Sequence, residues 1–92
     1  MYRNDIVRVG RKPVMVYVTA VLTCIAEYDK VIIQARGQSI NRAVDVAEIV
    51  RKKFLKDLRV DGITIDTETV KGDDGRPRGI STIDIELELR KS

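Results

Sequence analysis

Val31-Ile32-Ile33-Gln34-Ala35-Arg36-Gly37-Gln38-Ser39-Ile40 passes from an apolar run through a turn into a helical pattern. Lys30–Ala35 is short and rich in β-branched residues, as a buried strand requires. Arg36-Gly37 breaks it. Ser39 suits the N-cap of a helix whose inner face is Ile40, Ala43, Val44, Ala47, Val50 and Phe54. Upstream the same order occurs once before. Asp5–Val9 alternates loosely as a strand and turns at Gly10; Pro13 fits the first turn of a helix, where its missing N–H matters least. Val14, Val18, Val21, Leu22 and Ile25 carry that helix to about Glu27.

Downstream, Asp57–Gly62 holds turn signals. Ile63, Ile65, Thr67 and Thr69 then alternate with polar neighbours, as do Ile83, Ile85, Leu87 and Leu89, predicting two half-buried antiparallel strands. Between them, Lys71–Gly79 is polar and too long for a tight turn, which predicts a flexible hairpin arm. The expected order is β-α-β-α-β-β: one α/β domain over residues 1–92, a two-layer sandwich of a mixed four-stranded sheet and two helices.

Strand-helix-strand connections within one sheet are nearly always right-handed and join parallel strands. The turns at Gly10-Arg11-Lys12-Pro13 and Arg36-Gly37-Gln38-Ser39 therefore belong on one sheet edge. If the third strand is parallel as well, the Lys71–Gly79 arm leaves from that edge too. A helix start favours anions, so Arg11 and Lys12 work against the first helix by a few tenths of a kcal/mol each. An arriving phosphate would neutralise them, and the free N–H groups of a helix start suit it. In the second helix Arg42 stands where a capping box would place Glu or Gln, and Gly37 permits close backbone approach and a positive φ. Arg76 and Arg78 on the arm suit a narrow minor groove. The plain alternative for each segment is a solvated surface.

Charge is distributed to match. The net charge is +3, but residues 1–60 hold twelve basic and six acidic side chains, against five and eight in residues 61–92. A basic side facing a polyanion fits that asymmetry, as does an acidic protein partner. Arg51, Lys52, Lys53 and Lys56 are adequately explained as cations complementing a helix C-terminus. Charged residues reach 34%, with two Asn, two Gln and one Cys, a composition in the direction of heat adaptation.

The absent chemistry is informative. There is no His, and Cys24 stands alone in an apolar helical pattern, so it reads as a core residue. This excludes a nitrogen- or thiolate-based zinc site and a Ser-His or Cys-His nucleophile, and the phosphate-binding glycine signatures are missing. Asp73-Asp74 reads as a solvated pair on a glycine-rich loop. Four aromatics, Tyr2, Tyr17, Tyr28 and Phe54, are too few for a base-stacking platform. The expectation is a binding protein without cofactor or metal, not an enzyme. A lone cysteine, the charged Met1–Gly10 start and the lack of a ~20-residue apolar run point to a cytoplasmic protein with no membrane partner.

Several blocks, in order, resemble one family. Gly10-Arg11-Lys12-Pro13-Val14-Met15-Val16-Tyr17-Val18 resembles the G-[KR]-K-P-V-M-x-Y-V segment of archaeal Alba chromatin proteins. Ala35-Arg36-Gly37-Gln38-Ser39-Ile40 through Ala43-Val44-Asp45 is similar to their A-R-G-x-x-I…A-V-D segment. Glu48-Ile49-Val50-Arg51 and Ser81-Thr82-Ile83-Asp84-Ile85 resemble two more. The resemblance implies a chromosome-associated homodimer that coats and compacts double-stranded DNA with little sequence preference and also binds RNA. It assigns the central contacts to Arg11 and Lys12, a further one to Arg36, and arm contacts to Arg76 and Arg78. It makes Phe54 a contact between dimers, whereas helical periodicity slightly favours the core for that residue.

This sequence departs from the family at three points. Arg11 replaces a lysine that some members acetylate, leaving Lys12 as the acceptor for any such switch. Gly79 stands where a second arm arginine is common, and Arg78 comes one residue early, which reverses a strand side chain. Gln38 replaces a basic residue of some members. Two alternatives stay open: RNA as the main ligand, since the fold also resembles the C-terminal domain of bacterial translation initiation factor three, and a protein-interaction or oligomerisation module.

Overall fold

The computed structural model describes residues 5–90. Strand β1 (Ile6–Arg8) leads to helix α1 (Val14–Tyr28), strand β2 (Lys30–Arg36) and, after a single 3-10 turn at Gly37–Ser39, helix α2 (Ile40–Ile49). A π-helical turn, Val50–Phe54, extends α2, and the chain ends in strands β3 (Leu58–Lys71) and β4 (Pro77–Leu89). The sheet order is β1-β2-β4-β3, with β1 parallel to β2 and β4 antiparallel to both β2 and β3. The expected mixed four-stranded sheet with two helices is present.

Both helices lie on one face of the sheet, over β1, β2 and β4. Val18, Val21 and Ile25 of α1 and Ala43, Val46, Ala47 and Val50 of α2 meet Val31 and Ile33 of β2 and Ile83, Ile85 and Leu87 of β4. Cys24 is buried in this core, and burial, followed by the nearby charges of Asp5 and Glu27, pushes its thiol above the usual range. Helix α1 stops where Asp29 turns left-handed (φ 61°) and returns its N–H to the Ile25 carbonyl at 2.8 Å.

Five expectations need correction. Val44, read onto the inner face of α2, is 41% exposed, because the buried stripe of that helix runs through Ala43, Val46, Ala47 and Val50. Ser39 makes no side-chain cap: it has helical dihedrals inside the 3-10 turn, which itself starts the helix. Strand β3 begins at Leu58, within the stretch read as a turn, because a bulge between Val60 and Gly62 absorbs the polar residues without ending the pairing. β3 is not half-buried. Ile63 and Ile65 oppose the buried Ile85 and Ile83, and so share the helix-side face, yet are 58% and 76% exposed, since β3 lies outside the helices' cover. Finally, Phe54 is not core. The Leu55 N–H reaches back five residues to the Val50 carbonyl, and with this wider turn Phe54 is 49% exposed.

Candidate nucleic-acid interface

Because β1, β2 and β3 all point the same way, their C-terminal ends emerge at one sheet edge. That edge holds the turn after β1, the turn after β2 and the base of the β3–β4 arm. The condition set for the arm, a third strand running parallel to the first two, is met through the intervening antiparallel β4.

The first turn is held from inside. Tyr17, one turn into α1, presents its hydroxyl to the loop and accepts N–H bonds from Gly10 at 2.9 Å and Lys12 at 3.0 Å. Arg42 of α2 donates through Nη1 to the Lys12 carbonyl at 3.0 Å and the Gly10 carbonyl at 3.4 Å. Two of the amide groups at this turn thus point inward. What it presents outward is the pair of exposed side chains Arg11 and Lys12. No acidic residue occupies the first turn of α1 and no side chain caps it, so the helix's own positive end adds to theirs.

At the second turn Gly37 has φ +58°, a left-handed conformation that a side chain would strain, as expected from the sequence. Arg36, still extended at the end of β2, reaches Glu68 of β3 at 2.8 Å, with both side chains largely in solvent. Arg42 links this segment to the first turn, since it leaves α2 one turn after Ser39 and ends on Gly10 and Lys12.

The arm is a paired ribbon, more ordered in form than the loop expected over Lys71–Gly79. Pairing continues to Lys71 opposite Pro77, leaving a five-residue tip, Gly72–Arg76. Gly72 donates to the Arg76 carbonyl at 2.8 Å, Gly75 (φ +80°) to the Gly72 carbonyl at 3.0 Å, and the Arg76 N–H to Asp74 Oδ1 at 3.0 Å. Asp74 therefore shapes the tip. The Arg76 guanidinium is highly exposed, 4.0 Å from the same carboxylate. Arg78 opposes Val70 in the ribbon, and strand alternation from the buried Ile83 puts it on the sheet's open face, away from the helices.

Elsewhere, Glu48 pairs with Lys52 at 3.0 Å and Arg51 at 3.3 Å, and the Lys52 hydrogen bond and charge hold its carboxyl below the usual range. Arg51 and Lys52 thus share one carboxylate, a local pairing that the helix-terminus reading of this run did not include, and the run sits at the C-terminal end of α2, away from the turn that begins it. Among the described residues no cluster of three or more metal-ligating side chains occurs, and no helix is long and apolar enough to cross a membrane. Sequence reasoning missed Tyr17 and Glu68. A tyrosine one turn beyond a glycine-bounded loop was a usable signal for the first; nothing local marked the second, because Glu68 meets Arg36 only through strand pairing.

Comparison with known proteins agrees with this architecture. The sequence profile of the Alba family matches residues 5–67. The DNA/RNA-binding protein Alba of Thermoplasma acidophilum is 47% identical over 88 residues, spanning 95% of this chain and 98% of that protein. The protein of the same name from Methanocella arvoryzae is 46% identical, over 95% and 92%. Among solved structures, Alba from Thermoplasma volcanium superposes with a TM-score of 0.85 at 47% identity, covering 91% of this chain and 99% of that one. ALBA1 from Trypanosoma brucei gives 0.79 at 25% identity, covering 99% and 74%. Matched along most of its length in sequence and in fold, the chain belongs to the Alba family.

Proposed function

We propose that this protein is an architectural, chromosome-associated nucleic-acid-binding protein, not an enzyme. It coats and compacts double-stranded DNA with little sequence preference and also binds RNA. Relatives named DNA/RNA-binding protein Alba, 47% identical to this chain, support the binding itself. The observation that carries the mechanism is the convergence of three basic segments on one sheet edge. Arg11 and Lys12, Arg36 with the open backbone at Gly37, and Arg76 and Arg78 meet the sugar–phosphate chain, and Arg42 adds its charge between the two turns. Contacts to phosphate position a protein but carry no sequence information directly.

The unit is a homodimer. Ile63 and Ile65 form an uncovered apolar surface beside the helices, and a two-fold axis there would bury it against its own copy. Phe54 joins such dimers along the duplex. Two edges and two arms then act together. If a dimer neutralises about 6 phosphates, affinity for a duplex falls roughly 10³-fold from 50 to 200 mM salt. A fluorescence titration across that range tests this, and a flat salt dependence overturns it. Arg11→Ala with Lys12→Ala weakens binding to all duplexes alike; retained affinity rejects the turn as the main site. Competition between matched DNA and RNA duplexes ranks the two ligands.

A further inference from the structure

We infer that Tyr17 and Arg42 are positioning residues that lock the Gly10–Pro13 turn, so that Arg11 and Lys12 meet phosphate already in place. The inference rests on the phosphate-binding reading above and assigns Arg42 a role inside the protein. Its basis is a closed set of four bonds. The N–H groups of Gly10 and Lys12 both donate to one acceptor, the Tyr17 hydroxyl, at 2.9 and 3.0 Å. The carbonyls of the same two residues both accept from one donor atom, Arg42 Nη1, at 3.4 and 3.0 Å. The backbone on either side of Arg11 is thus held through its donors by one helix and through its acceptors by the other. Little slack remains: a Cβ at Gly10 would lie 3.3 Å from the Tyr17 hydroxyl.

The phenol ring that brings the hydroxyl there is anchored in the core, and Arg42 leaves α2 beside the buried Ala43. A loop held this way has already lost the backbone freedom that binding would otherwise have to remove. Tyr17→Phe removes one oxygen, no charge and almost no volume. It therefore separates positioning from charge, which a truncated cation cannot do.

Three measurements on the full chain, with a duplex of fixed length as probe, test the assignment. In Tyr17→Phe, hydrogen exchange at the Gly10 and Lys12 amides accelerates while that of Ile33 and Ile85 stays as in the wild type. Duplex affinity falls about five- to tenfold, in line with the loss of one or two hydrogen bonds, and the slope of log affinity against log salt stays unchanged. When Arg11 and Lys12 are already alanine, adding Tyr17→Phe changes affinity by less than twofold, since the lock has nothing left to position. Arg42→Lys keeps the charge but not the reach of a guanidinium to two carbonyls; it loses affinity like Tyr17→Phe, again at constant slope.

Wild-type binding with Tyr17→Phe unaffected, or equal losses with and without the two cations, overturns the lock and leaves the binding site standing. Arg42→Lys that matches the wild type overturns the assignment of Arg42. Loss of exchange protection at Ile33 and Ile85 in Tyr17→Phe would mark a general loss of structure and overturn the local role. A wild type that binds no duplex overturns the reading beneath the inference and the inference with it.

Discussion

Arg36 illustrates how a basic residue can be occupied before its ligand arrives. Its 2.8 Å pair with Glu68 is largely exposed and contributes at most roughly 1 kcal/mol to the free protein. A phosphate approaching Arg36 must also approach that carboxylate. Glu68→Gln is therefore expected to tighten duplex binding about two- to fivefold at low salt, with the gain fading as salt rises. An unchanged titration would place Arg36 away from the phosphates. The basic residues and both turn glycines were legible in the sequence, because cations at a helix start and a glycine after a strand are local signs. Their partners were not. Tyr17 reaches back seven residues to Gly10, Arg42 spans thirty to Lys12, and Glu68 meets Arg36 across thirty-two; such contacts exist only once the sheet is assembled.

Among the elements, the arm separates binding from folding most cleanly. No core residue lies between Leu58 and Ile83, so the hairpin beyond Asp66 and Thr82 is carried chiefly by its own pairing, with the exposed Arg36–Glu68 ion pair as a tie to β2. Joining Thr67 to Ser81 through Asn-Gly should leave the melting temperature within a few degrees of the wild type and lower duplex affinity tenfold or more. Calorimetry and titration read the two effects separately, and an affinity equal to the wild type would remove the arm from the interface. The strand pattern of this hairpin was readable from alternation alone. Its start and its tip were not: a bulge keeps Asp61 and Gly62 inside a strand, and cross-strand pairing carries Pro77 to Gly79 into regular structure that composition assigns to a loop. Helix α2 was misread in the same way at its end, since a period of 3.6 residues cannot anticipate the π-turn that turns Phe54 outward.

For the whole molecule, the balance of covered and uncovered apolar surface decides what it is in solution. Two helices cannot roof four strands, and the fourth, β3, keeps Ile63 and Ile65 outside. Replacing both with Asp should convert a dimer into a monomer by sedimentation, and should make thermal stability independent of protein concentration, as a dimer's is not. A monomeric wild type would refute the assembly. Periodicity identified these isoleucines as one face of a strand; only the sheet order reveals that, among the described residues, neither helix lies over them.

That sheet order has a further consequence. Among the described residues, Leu58–Lys71 pairs along one flank only, so a long rail of backbone donors and acceptors faces outward beside two bare isoleucines. Such a rail invites any extended peptide to dock by strand addition, including the same segment of an unfolding sibling. The charged side chains spaced along it, Arg59, Asp61, Asp66, Glu68 and Lys71, discourage stacking of like upon like, and a purified sample stripped of nucleic acid should precipitate first through this flank when its protomers are parted.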